Sequence, residues 1–521
     1  MKKSMKQLLA LLLVGIMVLG TVGCGNNNEE TKGTTAGSKE TQAQTQAGDT
    51  STTEAPATTE EEQEVITLKW YWKGEIDKGT GDLERVHEQV NKLLEERYHL
   101  RIEVIDTVYG EYNTIINNVD AAQEVYDLRY VNGLANYNNL VDQGILLDIT
   151  DLMAEYAPTR LAAYPDEYWD VFKRDGRIYT CLCYQLLCNT EGIGVHEEYL
   201  EAAGMEISDI QDWDDIETLM KAVQAKYPNA IQNAPAKAFP GHDGYMASGM
   251  SYGWISDEYA LGGSKEGEVP QVVCYYMLEE FREYCKMLKR WVDEGLCSYL
   301  YDAGGTDYWK TKDKVWTGSP VYKPGGDVEY SNSWKTPMKI AQWSESYMTV
   351  DKIMATTTGV SSTSEHPEAA VKLLEVLYTD QEIFNMLCFG IEGEDYEVIG
   401  ENTIRKINNG YSGMYNWELC DITRGYLVEG QAEDTWEQTI EINENAVMSP
   451  LMDLVMDTTS VKTQIADVKT VVAEHGAMLL RGLVDDVDKA FDEFVAALKT
   501  AGIEDILKCA QDQIDAHYAA K

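Results

Sequence analysis

Strand-like and helix-like hydrophobic patterns alternate at the start of the globular part of the chain. Residues 67–72 alternate in the manner of a strand, and 100–108 and 126–131 are further runs of the strand type. Helical patterns separate these runs; the first has apolar residues three or four apart at Leu83, Val86, Val90, Leu93 and Leu94. This strand–helix–strand–helix–strand order predicts a parallel sheet with helices on both faces.

The remaining patterns predict a second α/β region and a helical end. The predicted elements are a helix within 147–163, a hairpin turning at Asp175-Gly176, a strand over 180–187, a helix near 216–223 that begins after Asp212, a strand at 354–360, a helix that begins at Pro367, and helical stripes over 487–514. We find no internal repeat.

The first 24 residues are typical of a secretion signal. Lysines at positions 2, 3 and 6 precede an apolar run over 8–19, which is too short to cross a bilayer comfortably as a helix. Small residues then lead to Cys24, in a pattern that resembles a bacterial lipobox. We therefore expect 1–24 to be a lipoprotein signal peptide and Cys24 to carry the lipid. Chemistry that depends on cytosolic ATP or NAD is not expected.

Residues 25–65 are predicted to be a disordered tether. They are mostly Thr, Ala, Gln, Glu, Ser, Gly and Asn, so they cannot bury enough apolar surface to offset the entropy of ordering. A flexible segment of this length reaches about 35 Å root-mean-square. We expect it to hold the globular part at the membrane through the lipid on Cys24.

The charge of the chain argues against nucleic acid as a partner, and its aromatic content suits a sugar ligand. The net charge is −45 and no basic stripe occurs, so nucleic acid is excluded as a partner. The chain has 32 Tyr and 12 Trp but only 7 Phe. Tyrosine and tryptophan combine a flat apolar face with a polar edge, which suits the C–H faces and hydroxyl rims of sugar rings. Most of these side chains must nevertheless serve the core.

The cysteines do not indicate a metal site. Cys181, Cys183 and Cys188 lie close together in sequence, but no histidine is near and the spacing does not match a zinc site. We expect buried structural thiols here and predict no metal and no cofactor. Whether the nine cysteines after Cys24 form disulfides is left open.

Three segments together resemble the extracellular solute-binding lipoproteins of sugar-type ABC transporters. They are the run from Gly176-Arg177-Ile178-Tyr179 to 192–200, the run from Gly359 through Pro367 to Leu377, and the C-terminal motifs Gly390-Ile391-Glu392-Gly393, Ser449-Pro450-Leu451 and Ala501-Gly502-Ile503-Glu504. In this family the first segment is similar to the crossover between lobes, and the second to the return into the first lobe. The third is similar to a C-terminal domain of unknown function found in a subgroup.

The resemblance implies a type II periplasmic-binding-protein fold, in which two α/β lobes joined by crossing strands enclose a ligand cleft. Lobe 1 is expected over 66–183 and 352–400, and lobe 2 over 184–351 and 401–521 with the helical C-terminal region. The implied function is the capture of a sugar or oligosaccharide and its delivery to the permease subunits of an ABC importer. The protein is expected to act as a monomer at the outer face of the cell membrane.

Candidate ligand contacts come from the rule that ligands lie beyond the carboxyl ends of parallel strands, from the crossover, from possible stacking faces, and from a loop whose glycines let the backbone approach a ligand and whose Lys323 can donate. The candidates are Trp72, Lys73 and Glu75 after the first strand, Tyr109 after the second, Asn132 after the third, Tyr184 and Gln185 on the crossover, Trp254 and Trp309 as stacking faces, and Lys323 and Gly325 in the loop over 321–326. A tryptophan on a strand is more often a core residue than a ligand contact, so several of these positions have a plain structural alternative.

Two other functions remain open at this stage. A peptide-binding transport receptor would share the architecture and differ only in the cleft. A secreted glycan-active enzyme is the less favoured alternative. The run Gly249-Met250-Ser251-Tyr252-Gly253 matches the nucleophile-elbow pattern, but no apolar strand precedes it, so we interpret it as a chance match in a loop.

Overall fold

The computed structural model describes residues 64–74, 76, 80–228, 230, 255–257, 268–297, 315–317 and 321–521. The elements of the first part are β1 (Ile66–Lys73), α1 (Asp82–Tyr98), β2 (Leu100–Thr107), α2 (Tyr112–Ala122), β3 (Leu128–Val131), α3 (Leu134–Asp142), α4 (Thr150–Tyr156), α5 (Pro158–Leu161), α6 (Asp166–Asp170), β4 (Lys173–Arg174), β5 (Arg177–Ile178) and β6 (Thr180–Leu182). Next come β7 (Gly192–His196), α7 (Glu197–Ala203), α8 (Trp213–Lys226), β8 (Ile255–Asp257), β9 (Val272–Cys274), α9 (Glu279–Asp293), β10 (Trp316–Thr317), α10 (Gly326–Trp334) and β11 (Met338–Gln342).

The chain continues with β12 (Tyr347–Met348), α11 (Val350–Ile353), β13 (Thr357–Val360), α12 (Pro367–Thr379), α13 (Gln381–Phe389), β14 (Tyr396–Val398), β15 (Thr403–Lys406), α14 (Asn416–Leu419), β16 (Leu427–Val428), α15 (Thr435–Asn445) and β17 (Val447–Met448). It ends with α16 (Lys462–Val471), α17 (Ala477–Leu480), α18 (Val487–Thr500) and α19 (Ile503–Ala520). No helix among the described residues has the length and apolar character needed to cross a membrane.

A five-stranded sheet in the order β2-β1-β3-β13-β6 organises the first part. β1, β2 and β3 are parallel, as their sequence pattern predicts, while β13 runs antiparallel to both of its neighbours. The predicted hairpin is also confirmed: β4 and β5 pair across Asp175 and Gly176, both of which have positive φ angles of 52° and 77°.

The described part of the chain has two large hydrophobic cores and two much smaller apolar clusters. The first core lies around the five-stranded sheet and takes its buried residues from Leu68 to Cys188 and again from Met348 to Cys420. The second core lies around the antiparallel sheet β10-β7-β11 and takes its residues from Ile193 to Trp316 and from Leu451 to Ile514. The C-terminal helices α16, α18 and α19 therefore complete the second core.

Three segments of the chain pass between the two cores, and they run side by side. Asn189 and Tyr347 exchange backbone hydrogen bonds of 2.8 and 2.9 Å. β12 then pairs in parallel with β17, and Ser449 donates to the carbonyl of Met348 at 2.8 Å. Two side-chain contacts add to this pairing: the hydroxyls of Thr190 and Ser346 lie 2.7 Å apart, and the Glu191 backbone donates to the Ser344 hydroxyl at 2.9 Å. A narrow set of crossing strands of this kind is the arrangement that permits hinge motion.

The core membership gives lobe boundaries that differ from those expected from the sequence. Ile404, Tyr411 and Cys420 pack in the first core, whereas the resemblance predicts that 401–521 belongs to lobe 2. We propose that lobe 1 comprises about 66–188 and 348–436 and that lobe 2 comprises about 192–343 and 450–521. Local patterns could not place 401–436, because this segment is held by long-range packing against α13.

Candidate functional site

The carboxyl ends of the parallel strands bring two of the predicted contacts together. Lys73 ends β1, and its ammonium lies 4.1 Å from the ring centre of Tyr109 and 4.6 Å from that of Tyr130. Tyr109 follows β2 and is 51 % exposed, whereas Lys73 is only 6 % exposed. Asn132 follows β3 and is exposed to solvent. The strand-end rule thus places Lys73, Tyr109 and Asn132 at one edge of the sheet.

A buried carboxyl group lies beside Lys73. Glu418 on the short helix α14 is 1 % exposed, and neither of its side-chain oxygens has a hydrogen-bond partner among the described residues. Burial raises the pKa of Glu418 to about 9, and the charge of Lys73 only partly opposes this shift. Sequence reasoning missed Glu418 because nothing in the local pattern around 416–419 shows that α14 packs on the end of β1.

Trp72 and Tyr184 are buried in the first core. Leu68, Trp70 and Trp72 alternate along β1 toward this core, and the rings of Trp70 and Trp72 meet edge to face at 5.5 Å. Tyr184 stacks on Tyr164 with ring centres 5.1 Å apart. Both side chains are buried, so neither has a free face for a sugar ring in this structure.

Gln185 connects the first crossover to the segment that returns from the second core. Its side-chain amide donates to the Thr356 hydroxyl at 3.0 Å, and its backbone carbonyl accepts from the side-chain amide of Asn443 at 2.7 Å. Asn443 also accepts from the backbone of Leu187 at 2.8 Å. Gln185 is half-buried, so it lies at the hinge with part of its side chain accessible.

A groove of about 710 Å³ lies between α10 and the segment over 404–436. Its wall carries Tyr415 and Trp417, whose rings stack with centres 5.1 Å apart and planes inclined by 12°. Both residues are half-buried. A Cβ atom at Gly74 would lie 3.4 Å from the Tyr415 ring, so this stack adjoins the end of β1. Neither aromatic residue was among the predicted contacts.

Lys323 and Gly325 lie where the two parts meet at the start of α10. Lys323 forms an ion pair with Glu329 at 2.5 Å, which raises its pKa against the opposing effect of burial. Gly325 has a φ of 68°, and a Cβ atom there would lie 2.5 Å from the amide nitrogen of Gln431. The glycine therefore permits the close approach of α10 to the turn after β16.

Several other predicted positions lie in parts of the chain that the structure does not describe. Glu75, Trp254, Trp309, the signal segment with Cys24 and the motif over 249–253 lie outside the described residues. All nine cysteines from Cys181 to Cys509 are free thiols, and eight of them are buried. No cluster of three metal-binding side chains occurs within the described parts of the chain.

Comparisons with known proteins agree with this architecture. Residues 450–519 match the family model for a domain of unknown function, DUF3502. A carbohydrate ABC transporter substrate-binding protein of Streptococcus pneumoniae is 23 % identical over 448 residues, which cover 83 % of this chain and 88 % of that protein.

Solved structures match over almost their full length. The N-glycan transport solute-binding protein NgtS from Streptococcus pneumoniae aligns with a TM-score of 0.73 and 20 % identity, covering 86 % of this chain and 98 % of that one. An alginate-binding protein aligns with a TM-score of 0.53 and 17 % identity, covering 87 % and 98 %. The chain has the solute-binding-protein fold.

The predicted fold class and the stated resemblance are both confirmed by these matches. In such a fold the two cores are the two lobes, and the three crossing segments are the hinge. The groove with the Tyr415–Trp417 stack lies between the lobes, at the same edge of the sheet as Lys73. We therefore take this groove and the adjoining strand ends as the candidate ligand site.

Proposed function

We propose that this protein is an extracytoplasmic receptor that captures an oligosaccharide and delivers it unaltered to an ABC importer. The observation that carries the proposal is the stacked pair Tyr415–Trp417 in a groove between two hinged lobes. The relatives support the sugar class, since the similar structures include NgtS in complex with Man5GlcNAc and a Streptococcus pneumoniae binding protein in complex with kestose.

The dimensions and chemistry of the groove suit a small glycan. A volume of about 710 Å³ falls within the range of roughly 300–1,000 Å³ that is usual for small-molecule sites. The aromatic stack offers an apolar face for the C–H side of a sugar ring. Ser331, Asn332 and Asn416 line the same groove and can bond ring hydroxyls.

Transport follows from the difference in shape between the empty and the occupied receptor. A ligand held between two lobes makes contacts with both only when the hinge closes. A micromolar affinity corresponds to about 8 kcal/mol, which is enough to favour the closed form and still permit release. A permease that contacts both lobes would therefore distinguish the loaded protein from the empty one. The proposal includes no catalytic step and no cofactor.

The membrane attachment is part of the same proposal. We propose that Cys24 carries the lipid anchor and that 25–65 acts as the tether, as their composition suggests. The protein would work as a monomer at the outer face of the membrane, with permease subunits as its partners.

A melting-shift screen of purified protein tests the function. The panel contains Man5GlcNAc, kestose, trigalacturonate and a set of di- and oligopeptides. We expect at least one glycan to raise the melting temperature and no peptide to do so. Stabilisation by peptides alone would replace this proposal with the peptide-receptor function, and turnover of a glycan would replace it with the enzyme.

Trp417→Ala tests whether the groove is the site. Loss of one stacking face should weaken glycan binding at least tenfold, which is the effect of about 1.4 kcal/mol. Tyr518→Ala is the control, because Tyr518 is also half-buried but lies near the end of α19, away from the groove. Equal glycan affinity of the Trp417→Ala variant and the wild type would move the site elsewhere.

A further inference from the structure

Lys73 and Glu418 are two buried polar groups at the strand ends beside the groove, and the described residues leave their hydrogen-bonding capacity unused. Lys73 is 6 % exposed and Glu418 is 1 % exposed. No described residue accepts a hydrogen bond from the Lys73 ammonium, which instead faces the rings of Tyr109 and Tyr130. Neither oxygen of Glu418 has a partner among the described residues. Buried polar groups are normally hydrogen-bonded, so each such exception calls for an explanation.

The two groups are neighbours without being an ion pair. A Cβ atom at Gly74, the residue after Lys73, would lie 3.4 Å from the Tyr415 ring, and the Glu418 backbone donates to the Tyr415 carbonyl at 3.0 Å, so the end of β1 adjoins α14. In agreement with this geometry, the charge of Lys73 opposes the larger effect of burial on the pKa of Glu418. Glu418 is likewise within reach of Tyr112, Tyr130 and Cys183, and none of these donates to it. The Tyr130 hydroxyl donates instead to the Ala355 carbonyl at 3.0 Å, and the Cys183 thiol to the backbone carbonyl of Glu418 at 3.1 Å.

The chemistry of this pair is complementary to a hydroxyl group. An ammonium only donates hydrogen bonds, while a carboxyl group accepts them and, when protonated, also donates one. A sugar hydroxyl accepts and donates at the same time, so one or two neighbouring hydroxyls can accept from Lys73 and donate to Glu418. A carboxylate ligand only accepts, so it could accept from Lys73 and from the protonated oxygen of Glu418, but it would leave the other oxygen of Glu418 without a donor, which a hydroxyl group can supply.

We propose that Lys73 and Glu418 together form a polar subsite that binds neighbouring hydroxyl groups of a neutral sugar ring. This inference rests on the proposed function and adds the class of glycan, neutral and not acidic. Tyr109 lies over the Lys73 ammonium and is 51 % exposed, so rotation of its ring away from the sheet uncovers Lys73.

Isothermal titration with Man5GlcNAc, kestose and trigalacturonate tests the subsite. Glu418→Met and Lys73→Met remove the hydrogen-bonding groups at similar volume, and each should weaken the binding of a neutral glycan at least tenfold. Glu418→Gln keeps a donor and an acceptor and should stay within about threefold of the wild type. The double methionine variant should be little weaker than either single variant, because both groups hold the same ligand group. Glu88→Met and Lys92→Met, both exposed on α1, are the controls and should bind as the wild type does.

A second measurement does not depend on the stability of the methionine variants. Infrared difference spectra of the wild type should show a shift of the stretching band of a protonated carboxyl group when a neutral glycan is added. The band should be absent from the Glu418→Gln variant. A purely structural role for Glu418 would leave the band unmoved by glycan.

The outcomes separate this inference from the proposed function. If the wild type binds no glycan of the panel, the proposed function fails. If the wild type and both methionine variants bind a neutral glycan with equal affinity, only the subsite is overturned. Tighter binding of trigalacturonate than of either neutral glycan, dependent on Lys73 but not on Glu418, would overturn the assignment to neutral sugars.

Discussion

At the scale of single residues, Glu418 should make the stability of the protein depend on pH. Burial raises its pKa from the ordinary 4.5 to about 9 in the folded state, so the folded protein holds a proton that the unfolded chain releases. The contribution of Glu418 is therefore most favourable below pH 4.5 and is lost progressively as the pH rises toward 9. The slope in this window is at most about 1.4 kcal/mol per pH unit.

Replacement by glutamine removes this titration. We expect the free energy of unfolding of Glu418→Gln, relative to the wild type, to rise by a few kcal/mol between pH 5 and pH 9, as measured by urea denaturation. Glu88→Gln on the exposed face of α1 should show no such trend. Parallel pH profiles for Glu418→Gln and the wild type would show that the buried carboxyl does not hold its proton.

The residues of the site could be predicted only where a strand positions them. The sequence indicates that Lys73 and Tyr109 lie at one edge of the sheet, because the ends of parallel strands share that edge; their role as ligand contacts stays a prediction. The same rule suggested Trp72, but alternation along β1 turns its side chain toward the first core with Trp70. Glu418 and the Tyr415–Trp417 stack reach the site through the packing of a distant segment, which no local pattern records.

At the scale of elements, the amide of Asn443 on α15 fixes the first crossing segment. It accepts from the backbone of Leu187 at 2.8 Å and donates to the carbonyl of Gln185 at 2.7 Å, and it is buried. Asn443→Ala leaves both backbone groups without a partner, so we expect a loss of about 2–4 kcal/mol in the free energy of unfolding.

Asn445→Ala is the matched control in the same helix. Asn445 is exposed and bonds only to a carbonyl of its own helix, so its replacement should change the stability by less than about 0.5 kcal/mol. The midpoints of urea denaturation of the two variants and the wild type measure these stability changes. A similar small effect of the two substitutions would mean that water replaces the Asn443 amide at the crossing.

The sequence predicts which segments are helices and which are strands better than it predicts where they end or in which direction the strands run. The periodicity gave β1, β2, β3 and their helices, yet it carries no information on the antiparallel direction of β13. The strand expected over 180–187 ends at Leu182, because the backbone of Tyr184 bonds to Cys420 and Ile422 and not to the sheet. The helix expected within 147–163 is divided into α4 and α5, since Pro158 begins a new helix.

At the scale of the whole molecule, the three crossing segments determine what motion is available. Each lobe has its own core, so either can move as a body without loss of internal packing. The segments pair with each other through Asn189, Tyr347 and Ser449, and this pairing keeps the two lobes in register while the backbone outside it bends. Rotation about this strip would widen or narrow the groove beside Trp417.

Glycan binding should therefore make the protein more compact. We expect the radius of gyration from small-angle X-ray scattering to fall when a saturating glycan is added, because contacts to both lobes favour the closed form. The Trp417→Ala variant should show little change at the same glycan concentration, since it is only partly occupied. A glycan that raises the melting temperature of the wild type but leaves its radius of gyration unchanged would show that binding does not close the lobes, and recognition by the permease would then have to depend on a local surface change.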